Sequence, residues 1–237
     1  MTHPLKPLRR TALRLGVLSA ALLTLGAFPA AAQTSVSATA GSLGGGIELT
    51  QSFSPYLEGR LGLHAGSLSQ TRKVADVTYE ATAKARTGTA FLDWHPTAGG
   101  FRLSGGLVYN DSRVDGTGLA PPGGVFVIGG VPIPVSQLGH LEGRVDFNKA
   151  APYLGLGWGG PLAARGHLSF SFDLGVFYQG APKVTLTPVL APGSPLNDPV
   201  ARQLLNLAVI EEERRAEKDL ENYKYYPVLQ VGLAYRF

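Results

Sequence analysis

Apolar positions alternate with small or polar ones along most of this chain, a period of two that marks half-buried β-strands. Near the C-terminus Leu229, Val231, Leu233, Tyr235 and Phe237 share one face, and Gln230, Gly232, Ala234 and Arg236 the other. "HLSFSFDLGVFYQ" sets Leu168, Phe170, Phe172, Leu174, Val176 and Tyr178 against Ser169, Ser171, Asp173, Gly175 and Gln179. "FRLSGGLVYN" sets Phe101, Leu103, Leu107 and Tyr109 against Arg102, Ser104, Gly106 and Asn110. "YLEGRLGLHA" separates Leu57, Leu61 and Leu63 from Glu58, Arg60, Gly62 and His64. "PYLGLGWG" separates Leu154, Leu156 and Trp158 from Tyr153, Gly155 and Gly157. "LGGGIELTQ" places Glu48 opposite Ile47 and Leu49. In "YEATAKARTGTAF" the pattern assigns Tyr79, Ala81, Ala83, Ala85 and Phe91 to the apolar face, and Glu80, Lys84, Arg86 and Gly88 to the polar one.

Seven strands are clear, and "TSVSATAG" (34–41) is the place for an eighth, with a weakly marked hairpin at Gly41–Gly44. Connections at 52–55, 95–100 and 160–166 are short, and those near 67–77, 111–143 and 188–223 are long. A meander with short turns at one end and long loops at the other is the pattern of an outer-membrane barrel. The fold expected is all-β: a closed antiparallel up-and-down transmembrane β-barrel of eight strands, with one helix in the last long connection. That helix spans about 198–222. Asp198 is placed as N-cap, Pro199 fits the first turn, and Val200, Leu204, Leu207 and Leu220 form a partial apolar stripe. Its readings are a solvated helix packed over the barrel mouth, or a lid or partner-binding element. In loop 120–139, Val125–Ile128 and Val131–Val135 flank Gly129-Gly130, a hairpin signal. So apolar a hairpin is expected in the lumen or against the outer leaflet.

The one long apolar run lies at the start. Lys6, Arg9, Arg10 and Arg14 precede the 14 residues Leu15–Phe28, and small residues follow. This reads as a cleaved secretory signal peptide over 1–32, cut between Ala32 and Gln33, with the barrel over 33–237. Fourteen residues are too few for a membrane-spanning helix. Residues 1–32 hold four of the 21 Lys+Arg and none of the 17 Asp+Glu, so the remainder is formally neutral and gives no support for nucleic-acid binding. There is no cysteine, so an exported chain must draw its stability from hydrogen bonding and packing.

A terminal Phe237 with Tyr235, on the apolar face of an alternating last strand, resembles the sorting signal of outer-membrane barrels. That resemblance implies recognition by the barrel assembly machinery and closure of the last strand against the first. "LDWHP", "FRLSGGLVYN", "VDFNKAAPYLGLGWGG", "FSFDLGVFYQGAPKVTLT" and "YYPVLQVGLAYRF" resemble a family of small Gram-negative outer-membrane barrel proteins, similar in style to the OmpW and OmpA-type barrels. The resemblance implies location in the cell outer membrane, with outer-membrane lipid as partner. It implies no catalytic residue, cofactor or metal.

If the apolar face meets lipid, the lumen-facing candidates are Glu48, Glu58, Arg60, Glu80, Lys84, Arg86, Arg102, Asp173 and Arg236. A soluble barrel would turn its apolar face inward. Yet Arg60, Arg86 and Asp173 sit among Gly and Ser, which suits a tight polar interior. Four acids and five bases nearly cancel, and an eight-stranded barrel is just wide enough for side chains to fill. The first functional reading is therefore a filled polar lumen with a structural or surface role. The second is a narrow pore or passage for small, hydrophobic molecules, favoured by the many lumen glycines. An outer-membrane enzyme is the remote third. No serine stands in a G-x-S-x-G motif and no H-E-x-x-H occurs. The identity of any ligand is open.

Overall fold

Alternation becomes a closed sheet in the computed structural model, which describes residues 33–74, 77–163 and 166–237. The expected signal peptide lies outside the described residues. The first strands are β1 (Thr34–Gly41), β2 (Gly44–Ser54), β3 (Leu57–Val74), β4 (Val77–Trp94), β5 (Phe101–Asn110) and β6 (Arg113–Leu119). A hairpin of β7 (Val125–Ile128) and β8 (Val131–Pro134) and a helical turn, α1 (Val135–Leu138), follow. Then come β9 (His140–Asp146), β10 (Ala150–Gly159), β11 (Leu168–Tyr178), β12 (Lys183–Val189), α2 (Pro199–Asp219) and β13 (Tyr225–Arg236).

Eight strands close the ring, in the order β4-β3-β2-β1-β13-β11-β10-β5, with β5 returning to β4. The segment 34–41 supplies the eighth strand, as its pattern suggests, and it pairs with β13 from Ser35↔Arg236 to Gly41↔Gln230. The hairpin between β1 and β2 turns at Ser42 and Leu43, with Gly44 at φ 94°. Closure leaves no open edge in the ring, the condition for strands to cross a layer without water. Each ring strand turns large apolar side chains outward, among them Val36, Ile47, Leu61, Leu92, Leu107, Leu154, Phe170 and Leu233.

Away from the short turns, the wall continues as a head. Strand β4 pairs with β5 over Thr87–Trp94, then with β6 over Thr78–Lys84. Strands β9 and β12 extend that sheet beyond β6. Its outward side is hydrophilic; one row runs Ser69, Thr82, Asp115, Arg144, Thr185. Its other side packs on a second apolar core of Phe126, Ile128, Ile133, Leu138, Leu205 and Val209.

That core revises two expectations. The apolar hairpin does not enter the lumen: β7 and β8 seat Phe126, Ile128 and Ile133 under α2, with Val125, Val127 and Val131 exposed. Gly129 and Gly130, at φ 59° and 82°, make the tight turn that suits a hairpin. The helix begins where expected, with Asp198 Oδ1 accepting from the Val200 and Ala201 amides at 2.9 and 3.3 Å. However, it buries Leu205 and Val209, while Val200, Leu204 and Leu207 are exposed. The predicted stripe therefore faces away. The buried face is chosen by three carboxylates, not by hydrophobicity alone. Glu213 and Glu217 accept from the β12 amides of Leu186 and Val184 at 2.7 and 3.1 Å, and Glu212 accepts from Gly129 N at 3.1 Å. These bonds satisfy part of an edge strand that would otherwise present open N–H groups.

Candidate functional site: the buried charge cluster

Inward positions on β2, β3, β4, β5 and β11 converge on one polar cluster. Glu48, Glu58, Arg60, Arg102 and Asp173 are all buried in the ring. Arg60 is its hub. Its Nη1 donates to Glu48 Oε2 and to Asp173 Oδ2, both at 3.2 Å, and its Nη2 donates to Asp173 Oδ1 at 3.1 Å and Asp93 Oδ1 at 3.3 Å. Its Nε lies 2.9 Å from Asp93 Oδ2. Arg102 donates to Asp173 Oδ1 and to the Gly159 carbonyl, both at 2.8 Å. Buried guanidinium groups need this density of acceptors, because losing water is costly unless pairing replaces it.

Toward the short turns, Glu58 accepts from Ser52 Oγ at 2.8 Å and meets His95 Nε2 at 3.1 Å. His95 lies in the turn after β4, and its Nδ1 is 2.8 Å from the Gly99 carbonyl. A carbonyl only accepts, so Nδ1 carries a proton and Nε2 faces a carboxylate. Burial by itself would lower the His95 pKa. The Glu58 hydrogen bond and the Gly99 carbonyl outweigh it and hold His95 above its ordinary value. Toward the long loops, His64 Nε2 lies 3.3 Å from Glu48 Oε1. Above it Phe91 stacks on Tyr153 at 4.2 Å, and Leu43, Val108, Ala151, Phe177 and Val228 complete an apolar layer.

Four inward glycines lie against large side chains. A Cβ on Gly155 or Gly175 would meet the Tyr153 ring, one on Gly157 the Arg102 guanidinium, and one on Gly62 the rings and chains of His64, Thr89 and Glu48. Each glycine thus makes room for a large neighbour. A cavity beside Glu48, Glu58, Arg60, Asp93 and Arg102 measures about 10 Å³, the scale of a single water. A separate cavity of about 160 Å³ lies toward the head, lined by Leu43, Thr87, Asn110, Phe177, Gln179 and Tyr226 among others.

Four of the nine sequence candidates stand elsewhere. Glu80, Lys84 and Arg86 are on the outward side of β4, whose phase is set by buried Phe91 and Asp93 and exposed Leu92 and Trp94. Lys84 instead joins Arg113 and Arg144 around Asp115, at 3.3, 3.2 and 2.9 Å. Desolvation opposes ionisation of Asp115, but these three cations prevail and hold its carboxyl below the usual range. Arg236 is half-buried at the short-turn rim and donates to the Pro161 and Gly166 carbonyls, each at 3.2 Å, and to Gln33 Oε1 at 3.0 Å. Asp93 and His95 belong to the cluster and were not among the candidates. The signal for Asp93 was its place between Leu92 and Trp94. Tyr235 and Phe237 stack edge to face at 5.2 Å on the outward side, and the Phe237 amide donates to the Thr34 carbonyl at 3.1 Å. Among the described residues, no group of three or more His, Cys, Asp or Glu is set to hold a metal ion.

No protein-family model matches the chain, and no curated protein does. Among solved structures, it is similar to CarO2 of Acinetobacter baumannii at 20% identity and a TM-score of 0.54, covering 86% of this chain and 98% of that one. It is similar to CarO of the same organism at 23% identity and the same TM-score, again over 86% and 98% of the two chains. At these identities the likeness speaks for the fold: a small closed barrel extended at one end.

Proposed function

We propose that this protein is an integral outer-membrane barrel whose lumen is filled and whose role is structural and surface-directed. One observation supports it: the Arg60–Asp93–Asp173–Arg102 cluster ties opposite walls of the ring together, beside a cavity of only about 10 Å³. The outward apolar side chains of all eight ring strands supply the membrane-facing band, and "outer" rests on the resemblance to outer-membrane barrels. By the loop-length rule the head faces the cell exterior. It presents a polar basin of about 540 Å³ lined by Asp115, Thr117, Glu142, Arg144, Thr185 and Thr187. Proteoliposome swelling tests the filled lumen. Vesicles carrying the folded barrel are expected to swell in small sugars no faster than empty ones; rapid swelling would overturn the reading.

A second reading keeps a passage for small hydrophobic molecules. It is favoured by the 160 Å³ cavity, whose walls Leu43, Phe177 and Tyr226 are apolar and lie between the filled cluster and the head. With the lumen filled as proposed, such a passage would leave sideways through the wall. Its test is retention of a small apolar fluorophore by the folded barrel, lost on Phe177→Trp.

A further inference from the structure

The outward face holds a feature that a filled lumen does not use. Hydrogen-bond register aligns outward residues in rows around the wall. One row runs Val36, Leu49, Leu61, Ala90, Leu107, and the next runs Ile47, Leu63, Gly88, Tyr109. In both rows the β4 position is small, and its neighbours on β3 and β5 are large. The result is a valley along β4, floored by Ala90 and Gly88 and walled by Leu61, Leu63, Leu107 and Tyr109. These residues line an apolar groove of about 560 Å³.

The valley ends toward the head at a cation. The next outward position on β4 is Arg86, one two-residue step, about 7 Å, beyond Gly88. Its neighbour on β3 is Ala65, so it stands over small residues and is exposed. Its backbone is tied, with its amide donating to Ser112 Oγ at 3.2 Å and its carbonyl accepting from Asp111 at 2.9 Å. Its guanidinium has no ion-pair partner among the described residues. Neighbouring cations have carboxylate partners: Lys84 shares Asp115 with Arg113 and Arg144, and Lys149 meets Asp111 at 3.1 Å and stands 6.0 Å over the Tyr109 ring. A groove fit for an acyl chain thus points at a guanidinium with no ion-pair partner among the described residues, at the edge of the apolar band.

We propose that this valley binds one anionic phosphorylated lipid of the outer leaflet, with an acyl chain over Ala90 and Gly88 and its phosphate on Arg86. Charge complementarity selects the occupant. A guanidinium presents two parallel donors to a phosphate, and Lys149 and Tyr109 stand beside it. A zwitterionic lipid would leave part of that charge unanswered. The inference rests on the reading that these strands cross the membrane with the head in the outer leaflet.

The test is native mass spectrometry of the detergent-folded barrel, with heat-modifiable gel migration checking the fold first. The probes are diphosphoryl lipid A and phosphatidylethanolamine. Wild type is expected to retain the diphosphorylated glycolipid about tenfold more than phosphatidylethanolamine, the scale of one charge-assisted contact. Arg86→Gln should bring the two within about twofold. Ala90→Leu and Gly88→Leu should reduce adducts of both lipids. A Cβ at Gly88 meets only ordinary contacts, 3.8 Å from Leu63 Cδ2 and Tyr109 Cβ, so folding is expected to survive. Equal retention of both lipids by wild type, unchanged retention by folded Arg86→Gln, or a dimer that excludes lipid from the valley would each overturn the proposal. A chain that never becomes heat-modifiable would instead refute the barrel reading on which it rests.

Discussion

Arg60 and Asp173 stand on strands four places apart in a ring of eight, and they meet through two hydrogen bonds of 3.2 and 3.1 Å. Each wall thus reaches the opposite one by a single paired contact. Asp93 and Glu48 add ties from β4 and β2, and Arg102 adds one from β5 to the same Asp173. The cluster braces the cross-section.

Removing the hub should leave Glu48, Asp93 and Asp173 buried around an absent charge. Arg60→Ala is expected to cost about 3–5 kcal/mol, the range for breaking a buried ion pair. Urea unfolding in lipid vesicles measures it. Combining it with Asp173→Asn should recover part of the loss, because one orphaned carboxylate is removed; additive losses would contradict the pairing.

His95 sets a pH dependence of definite sign. Its pKa is raised from 6.5 in the folded protein, since the Glu58 and Gly99 bonds outweigh burial. The stabilisation is therefore fully present below 6.5 and is lost as pH rises through the folded value. The urea midpoint should fall between about pH 6 and about pH 9, and His95→Gln should flatten that slope.

Tyr153 and the glycines beneath it form one packed unit. Gly175→Ala directs a Cβ into the Tyr153 ring and is expected to cost about 1–3 kcal/mol by overpacking. Tyr153→Ala added to it should relieve the clash. If Gly175→Ala alone is neutral in urea unfolding, the lumen has slack that this packing denies.

The helix carboxylates should act locally. Glu213→Ala with Glu217→Ala frees the Leu186 and Val184 amides, so hydrogen exchange there should quicken. Exchange at the short-turn ends of β1 and β13, around Ser35 and Tyr235, should not change.

Much of this architecture was legible in alternation alone. The order of turns and loops follows from period two; the hairpin at Gly41–Gly44 was only weakly marked, and closure of β13 on β1 came from the resemblance of the terminal Phe237 to a barrel sorting signal. Phase on β4 was not legible from its upper half, where Ala81, Ala83 and Ala85 imitate an apolar face. Read from Leu92, Asp93 and Trp94, it would have placed Asp93 inside and Arg86 outside. The helix misled for a related reason: its buried face was selected by carboxylates reaching the β12 edge, and hydropathy does not record that bond. The lumen glycines carried both readings until Tyr153, Arg102 and His64 were seen to occupy the space above them.

Single-channel conductance of refolded residues 33–237 in planar bilayers tests the central claim most directly. The filled cluster predicts a silent bilayer once heat-modifiable migration has verified the fold. Discrete, reproducible conductance steps from the verified barrel would contradict it.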